Sequence, residues 1–205
     1  CLEVCAEYKN PVGIVTKSPL IERDIDVLLR LNEVTSVSVA ISVPFWNEAN
    51  CRAIEPFVTT PARRIKIIER LSSAGVPVTV NVAPIIPGLS DEDMPAILEA
   101  AAAAGAKGAH YVLLRLPGSV KKVFEERLRA ALPLRAEKVL ARLREAHGGK
   151  VYDASFGTRA IGEGPYADMI ARLFQSTTAR LGLNVDASGS GANTFARPTA
   201  QLALF

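Results

Sequence analysis

The segment Pro77–Met94, PVTVNVAPIIPGLSDEDM, constrains the fold of this chain more than any other. Val78, Val80 and Val82 alternate with Thr79 and Asn81, the two-residue period of a strand built on β-branched side chains. Pro84, Pro87 and Gly88 then end any regular element. Ser90 is placed to cap a helix, with Asp91, Glu92 and Asp93 as acids in its first turn. Strand, loop and acidic helix start make one βα unit, with the loop at the C-terminal end of the strand, where parallel α/β folds carry their chemistry.

The same unit recurs along the chain. Strands are predicted at Val12–Thr16, Ser36–Val43, Val78–Val82 and His110–Leu116. Helices are predicted at Ile21–Asn32, from Pro61 to about Ala74, and from Asp91 to Ala104. Pro44–Thr59 reads as a long loop. Such alternation specifies a parallel sheet, and four units are too few to close a barrel, so one sheet edge stays bare. Beyond Gly118 the chain turns helical and basic, with Lys121, Lys122, Arg127, Arg129, Arg135, Lys138, Arg142 and Arg144 set against four glutamates and a break at Pro133. Pro165–Leu181 is a last helix, with Met169, Ile170, Leu173 and Phe174 as its apolar face. Asn184–Ala200 lacks periodicity and reads as a disordered linker ahead of Gln201–Phe205. The divisions are residues 1–118, 119–183 and 184–205.

Composition excludes more than it selects. At 205 residues and a net charge of +3, the chain has room for a sizeable core and too little charge to name nucleic acid as its partner. No apolar run reaches bilayer length, and the three cysteines do not form a disulfide framework, so a cytoplasmic setting is expected. The chain begins at Cys1 inside a helix-compatible stretch with no cap before it, as expected of a segment of something longer.

Several residues stand where chemistry is done. Lys17, at the end of the first strand, can pair with a carboxylate, form a Schiff base if desolvated, or simply face solvent. Ser42, near the end of the second, can hold a ligand amine or ribose, or be a small residue tolerated in a crowded barrel. Ala83 offers a flat surface to a ring, or ordinary packing. Arg115 can clamp a phosphate or carboxylate, or bridge to a nearby acid. Cys1 and Cys5 share a helix face but are too few for a metal, Cys51 is remote, and idle thiols are expected. The basic helices can track a phosphate backbone or form a solvated face, and charge alone favours the solvated face.

The succession VGIVTKS, VAISV, EPFVTTPARR and VNVAPIIPGLSD resembles the core of the radical S-adenosylmethionine (SAM) enzymes. Within them it is most similar to the spore photoproduct lyase-like group, whose C-terminal part resembles YVLLRLPGSVKKVF and YDASFGTR followed by GPYADMIARLF. That resemblance implies a partial (β/α)6 TIM-like barrel, of which the four C-terminal βα units are present, followed by a helical extension and the disordered tail. It implies SAM chelated by a [4Fe–4S] cluster, a 5′-deoxyadenosyl radical, and electrons from a reductant such as flavodoxin or ferredoxin. Lys17 would bind the SAM carboxylate, Ser42 its methionine or ribose side, and Ala83 its adenine. The CxxxCxxC cluster motif is absent; Cys1 and Cys5 give only its first spacing, on a helix that in the family follows the second strand. The cluster ligands are therefore expected outside this chain, which is expected to be inactive alone. The terminal QLALF resembles the peptide that docks DNA-repair proteins on the polymerase sliding clamp, with Gln201 as polar anchor and Leu202, Leu204 and Phe205 in an apolar pocket. That would place the substrate in nucleic acid, as a DNA lesion. Two other readings stay open: a Schiff-base aldolase-type barrel using Lys17, and a non-catalytic accessory that docks on the clamp.

Overall fold

The computed structural model describes residues 1–151, 157–185 and 194–197. Helix α1 (Leu2–Glu7) leads to β1 (Val12–Thr16), a 3-10 turn (Pro19–Asp24), α2 (Ile25–Val34) and β2 (Val37–Ser42). Helices α3 (Glu48–Ile54) and α4 (Pro61–Ser73) precede β3 (Val78–Ile85). Then come α5 (Met94–Ala103), β4 (Gly108–Leu113), α6 (Val120–Ala131), α7 (Pro133–Ala146) and α8 (Pro165–Leu181).

The four strands are parallel and lie in the order β1-β2-β3-β4. Each crossover therefore steps the same way, and right-handed connections put every crossover helix on one face. A doubly wound sheet reverses its strand order and covers both faces; this sheet does not reverse, which is the winding of a barrel segment. The covered face is apolar: Val37, Val39, Ile41, Val78, Val80 and Val82 bury against Leu28, Leu31, Ile67, Ile68, Leu71, Ile97 and Leu98 of α2, α4 and α5. Strand alternation turns Gly13, Val15, Ser38, Ala40, Ser42, Thr79, Asn81, Ala83 and His110 to the other, open face. Val15 is 67% exposed there.

The helices after Gly118 have no core of their own. Phe124 and Leu128 of α6, with Ala136, Val139, Leu140 and Leu143 of α7, share one with Phe45, Ile86, Leu89, Leu114 and Leu116. Those five residues belong to the segments that follow β2, β3 and β4, so α6 and α7 lie over the C-terminal ends of these strands. Helix α8 returns to the sheet, with Phe174 4.8 Å from Tyr111 between ring centroids. No helix among the described residues is long and apolar enough to cross a membrane.

Several expectations are corrected. The segment 44–59 contains α3, begun by Asn47, whose side chain accepts from Asn50 N at 2.9 Å. Helix α2 starts at Ile25, because Pro19 opens a 3-10 turn whose Ser18 cap accepts from Leu20 N. Strand β3 continues to Ile85, and β4 starts two residues earlier than expected because Gly108 pairs with Thr79. Met169 is 44% exposed; α8 instead buries Ala167, Ile170, Phe174, Thr177 and Thr178. Glu22 has a 9%-exposed side chain that holds Arg63 at 2.7 Å and Arg70 at 3.3 Å.

Part of the expected linker is placed by specific contacts. The Asn184 side chain accepts from Ala109 N at 2.8 Å and donates to Ala109 O at 3.0 Å, closing the outer edge of β4 at its start. Thr194 bonds to Thr35 and to Lys9 O, Ala196 N bonds to Tyr8 O, and Phe195 stacks on Tyr8.

Candidate functional site

The site is built at the C-terminal ends of the strands. Helix α3 ends at Ile54 and leaves Glu55 as its C-cap. Thr60 caps α4, accepting from Arg63 N, and Pro61 opens it, so Arg64 falls on the first turn of the buried face. Arg64 is completely buried. Its Nε donates to Thr59 O at 2.8 Å, one terminal nitrogen to Ser42 O at 3.0 Å, and the other to Glu55 Oε2 at 3.0 Å. The remaining Glu55 oxygen, Oε1, accepts from Lys17 Nζ. The side chains of Glu55 and Lys17 are 16% and 33% exposed. One ion-pair chain thus joins the ends of β1 and β2, and its three charges sum to one positive charge, a natural receptor for an anion.

A second feature lies one strand over. Ser42 pairs in register with Asn81, and Asn81 with His110, so these side chains form one row across the open face. The Asn81 Oδ1 atom is buried without a hydrogen-bond partner. An orphaned buried acceptor is costly unless something supplies a donor. Ala83 stands two residues beyond Asn81 on the same face, where the β3–β4 register shifts and the Ala83–Pro84 peptide is cis.

The loop after β3 is locked from within, and this corrects the expected helix start. Ser90 caps no helix: it is fully buried and accepts from Ile86 N at 3.0 Å. Asp91 accepts from Gly88 N at 2.8 Å and from the Tyr166 hydroxyl. Asp93 accepts from Trp46 N at 2.9 Å and Asn47 N at 3.3 Å, tying this loop to the one after β2. Gly88 takes φ +79°, and a Cβ there would lie 3.0 Å from Arg142 Cγ. Burial first, then the Asp91 hydrogen bond, push the Tyr166 phenol well above its ordinary range.

Lys17 follows the end of β1, Ser42 ends β2, and Ala83, expected to end its strand, lies two residues before the end of β3, all on neighbouring strands. Arg115 is displaced from its expected place: β4 ends at Leu113, and Arg115 is exposed with no ion pair among the described residues. Sequence reasoning missed Glu55 and Arg64 as site residues. The available signal was an arginine three residues before Ile67 and four before Ile68, on the apolar stripe of α4. Gln201, Leu202, Leu204 and Phe205 lie outside the described residues.

Cys1 is exposed, Cys5 half-buried and Cys51 buried, and none is in a disulfide. Burial pushes the Cys51 thiol up, against the opposing field of Arg64. No group of three or more His, Cys, Asp or Glu among the described residues could hold a metal ion. These residues do not fit an iron–sulfur cluster. They do fit SAM, whose carboxylate suits the Lys17 end and whose hydroxyl and amine donors suit the Asn81 acceptor.

Comparison with known proteins finds a family match over part of the chain. Residues 1–101 match the model of the Radical SAM superfamily. The matched region runs from α1 into α5 and carries β1, β2, β3, Lys17, Ser42, Glu55, Arg64 and Ala83. The uncharacterized proteins Rv2578c of Mycobacterium tuberculosis and Mb2609c of Mycobacterium bovis are each 33% identical over 140 residues, 67% of this chain and 40% of the relative. The matched stretch of this chain thus spans about 40% of the length of these relatives.

Proposed function

We propose that this chain is the SAM-binding part of a radical SAM enzyme of the spore photoproduct lyase-like group. The observation that supports it is the convergence of Lys17, Ser42 and Ala83 at three adjacent strand ends, in a region that matches the Radical SAM superfamily. Lys17 takes the SAM carboxylate, Ser42 the methionine or ribose side, and Ala83 forms a wall for the adenine. SAM held by these residues would, together with a [4Fe–4S] cluster, supply radical chemistry that abstracts hydrogen from a substrate. The cluster ligands would come from outside the described residues, and the electron from a reductant such as flavodoxin or ferredoxin. The chain's own residues orient SAM, and the core shared with α6 and α7 keeps water from the β3 and β4 side.

The Schiff-base reading loses ground to the ion-pair chain. A Schiff-base lysine is activated by an apolar pocket or a neighbouring cation; Lys17 sits on the Glu55 carboxylate. Anaerobic reconstitution of the parent protein with iron and sulfide, then dithionite and SAM, is expected to yield 5′-deoxyadenosine. Lys17→Met is expected to lower that yield at limiting SAM. A reconstituted cluster that leaves SAM intact would refute the proposal.

One observation favours a polyanionic substrate, such as a lesion in DNA. A cavity of about 680 Å³ beside Leu116 and Gly118 is lined by Lys121, Arg144 and Lys150. The one acid in its lining among the described residues, Glu125, already pairs with Arg129 at 3.5 Å. Removing each cation that contacts a phosphate is expected to lower the log-affinity against log-salt slope for an oligonucleotide by about 0.7–0.9. An unchanged slope in Lys121→Ala, Arg144→Ala and Lys150→Ala would exclude this surface.

A further inference from the structure

We infer that Glu55 and Arg64 are positioning residues for the ligand carboxylate, a role resting on the proposed assignment of Lys17. The ammonium of Lys17 has three donors, and Glu55 occupies one, leaving two directed by that contact. A free lysine side chain gives up rotamer freedom when fixed. Glu55 removes part of that loss before any ligand arrives. Glu55 can do this because it is itself fixed. Its other oxygen is held by a guanidinium with no exposed surface, which is pinned in turn on two backbone carbonyls.

One of those carbonyls belongs to Ser42. The same guanidinium therefore sets the end of β2, where the Ser42 hydroxyl must meet the ligand, and, through Glu55, the ammonium at the end of β1. Two contacts on one small molecule are held at a fixed separation by a single buried cation, and a fixed separation is what preorganised binding requires. The pair also leaves the charge of the site unchanged. Glu55 and Arg64 cancel, so the positive charge an anion meets is that of Lys17. Replacing the pair with neutral residues tests position rather than field.

The test compares two ligands by titration calorimetry on the 205-residue chain. SAM carries the amino-acid carboxylate, whereas 5′-methylthioadenosine has the same nucleoside and lacks it. The charge-neutral double variant Glu55→Gln/Arg64→Met is expected to bind SAM about tenfold more weakly and 5′-methylthioadenosine within twofold of wild type. Glu55→Asp keeps the Arg64 partner while drawing the carboxylate away from Lys17, and is expected to weaken SAM alone by a few-fold. It stands in if the double variant does not fold. Equal weakening of both ligands would reduce the pair to a support for the fold and overturn the inference. Unchanged SAM binding in these variants, with Lys17→Met weakened, would also overturn it and leave the assignment of Lys17 intact. No SAM binding by the wild-type chain, or an unaffected Lys17→Met, would remove the assignment and the inference with it.

Discussion

Removing the Glu55 carboxylate should unfold this protein far more readily than removing the lysine it touches. In Glu55→Ala the buried Arg64 keeps Thr59 O at 2.8 Å and Ser42 O at 3.0 Å but loses its one carboxylate partner among the described residues. Breaking a buried pair from one side costs about 3–5 kcal/mol, since the surviving charge is left uncompensated. The Glu55 side chain keeps 16% exposure, so the lower end applies, roughly 3 kcal/mol. The Lys17 side of the network is 33% exposed, and Lys17→Met should cost no more than about 1 kcal/mol. The double variant Glu55→Gln/Arg64→Met removes both charges and leaves two carbonyls without donors, at about 1 kcal/mol each. It should therefore lie near 2 kcal/mol, less destabilised than the single change. Urea unfolding followed by circular dichroism measures all three, with the same denaturant dependence expected throughout. For a chain of this size, about 3 kcal/mol should also lower Tm by roughly 6–12 °C. A Glu55→Ala variant within 1 kcal/mol of wild type, or a double variant worse than the single one, would refute the reasoning.

Two further outcomes follow from other contacts. The Tyr166 phenol is raised by burial and by Asp91, so the folded state holds its proton where the unfolded state has lost it. Stability from this group is complete below the ordinary phenol range near 10 and declines as pH climbs above it; Tyr166→Phe should flatten that alkaline limb of the unfolding profile, and an unchanged limb would show that the phenol is not its source. Asn184 sits at φ +67° with its amide on both backbone groups of Ala109, so Asn184→Gly keeps the conformation and removes the bonds. Its expected signature is about 1–2 kcal/mol of destabilisation and faster hydrogen exchange at Ala109, and unaltered exchange there would speak against the edge closure.

The sheet was legible because its signal is local. Valines and isoleucines at a two-residue period name a strand wherever they occur, and Pro133, Pro165 and Gly182 mark helix limits that the structure keeps. The site was legible only as strand ends. Arg64 is an arginine in a core, a burial that depends on a carboxylate nine residues away in sequence and a carbonyl on another strand. Asp91 and Asp93 look like first-turn acids of a helix, yet they bind backbone amides and a tyrosine that the chain brings back from further along. Helix α3 lay hidden because its buried face is little more than Cys51, so its pattern has no apolar stripe. Asn184 and Thr194–Ala196 belong to a stretch whose composition names a linker, and single hydrogen bonds leave no periodicity to read.

The central claim is that SAM binds at the C-terminal ends of β1, β2 and β3. Hydrogen–deuterium exchange of the 205-residue chain with and without SAM tests it most directly. Protection is expected at residues 16–18, 42–44 and 83–86, and is expected to disappear in Lys17→Met. Protection at the opposite strand ends, residues 11–12, 36–37 and 77–78, or no protection at all, would contradict it.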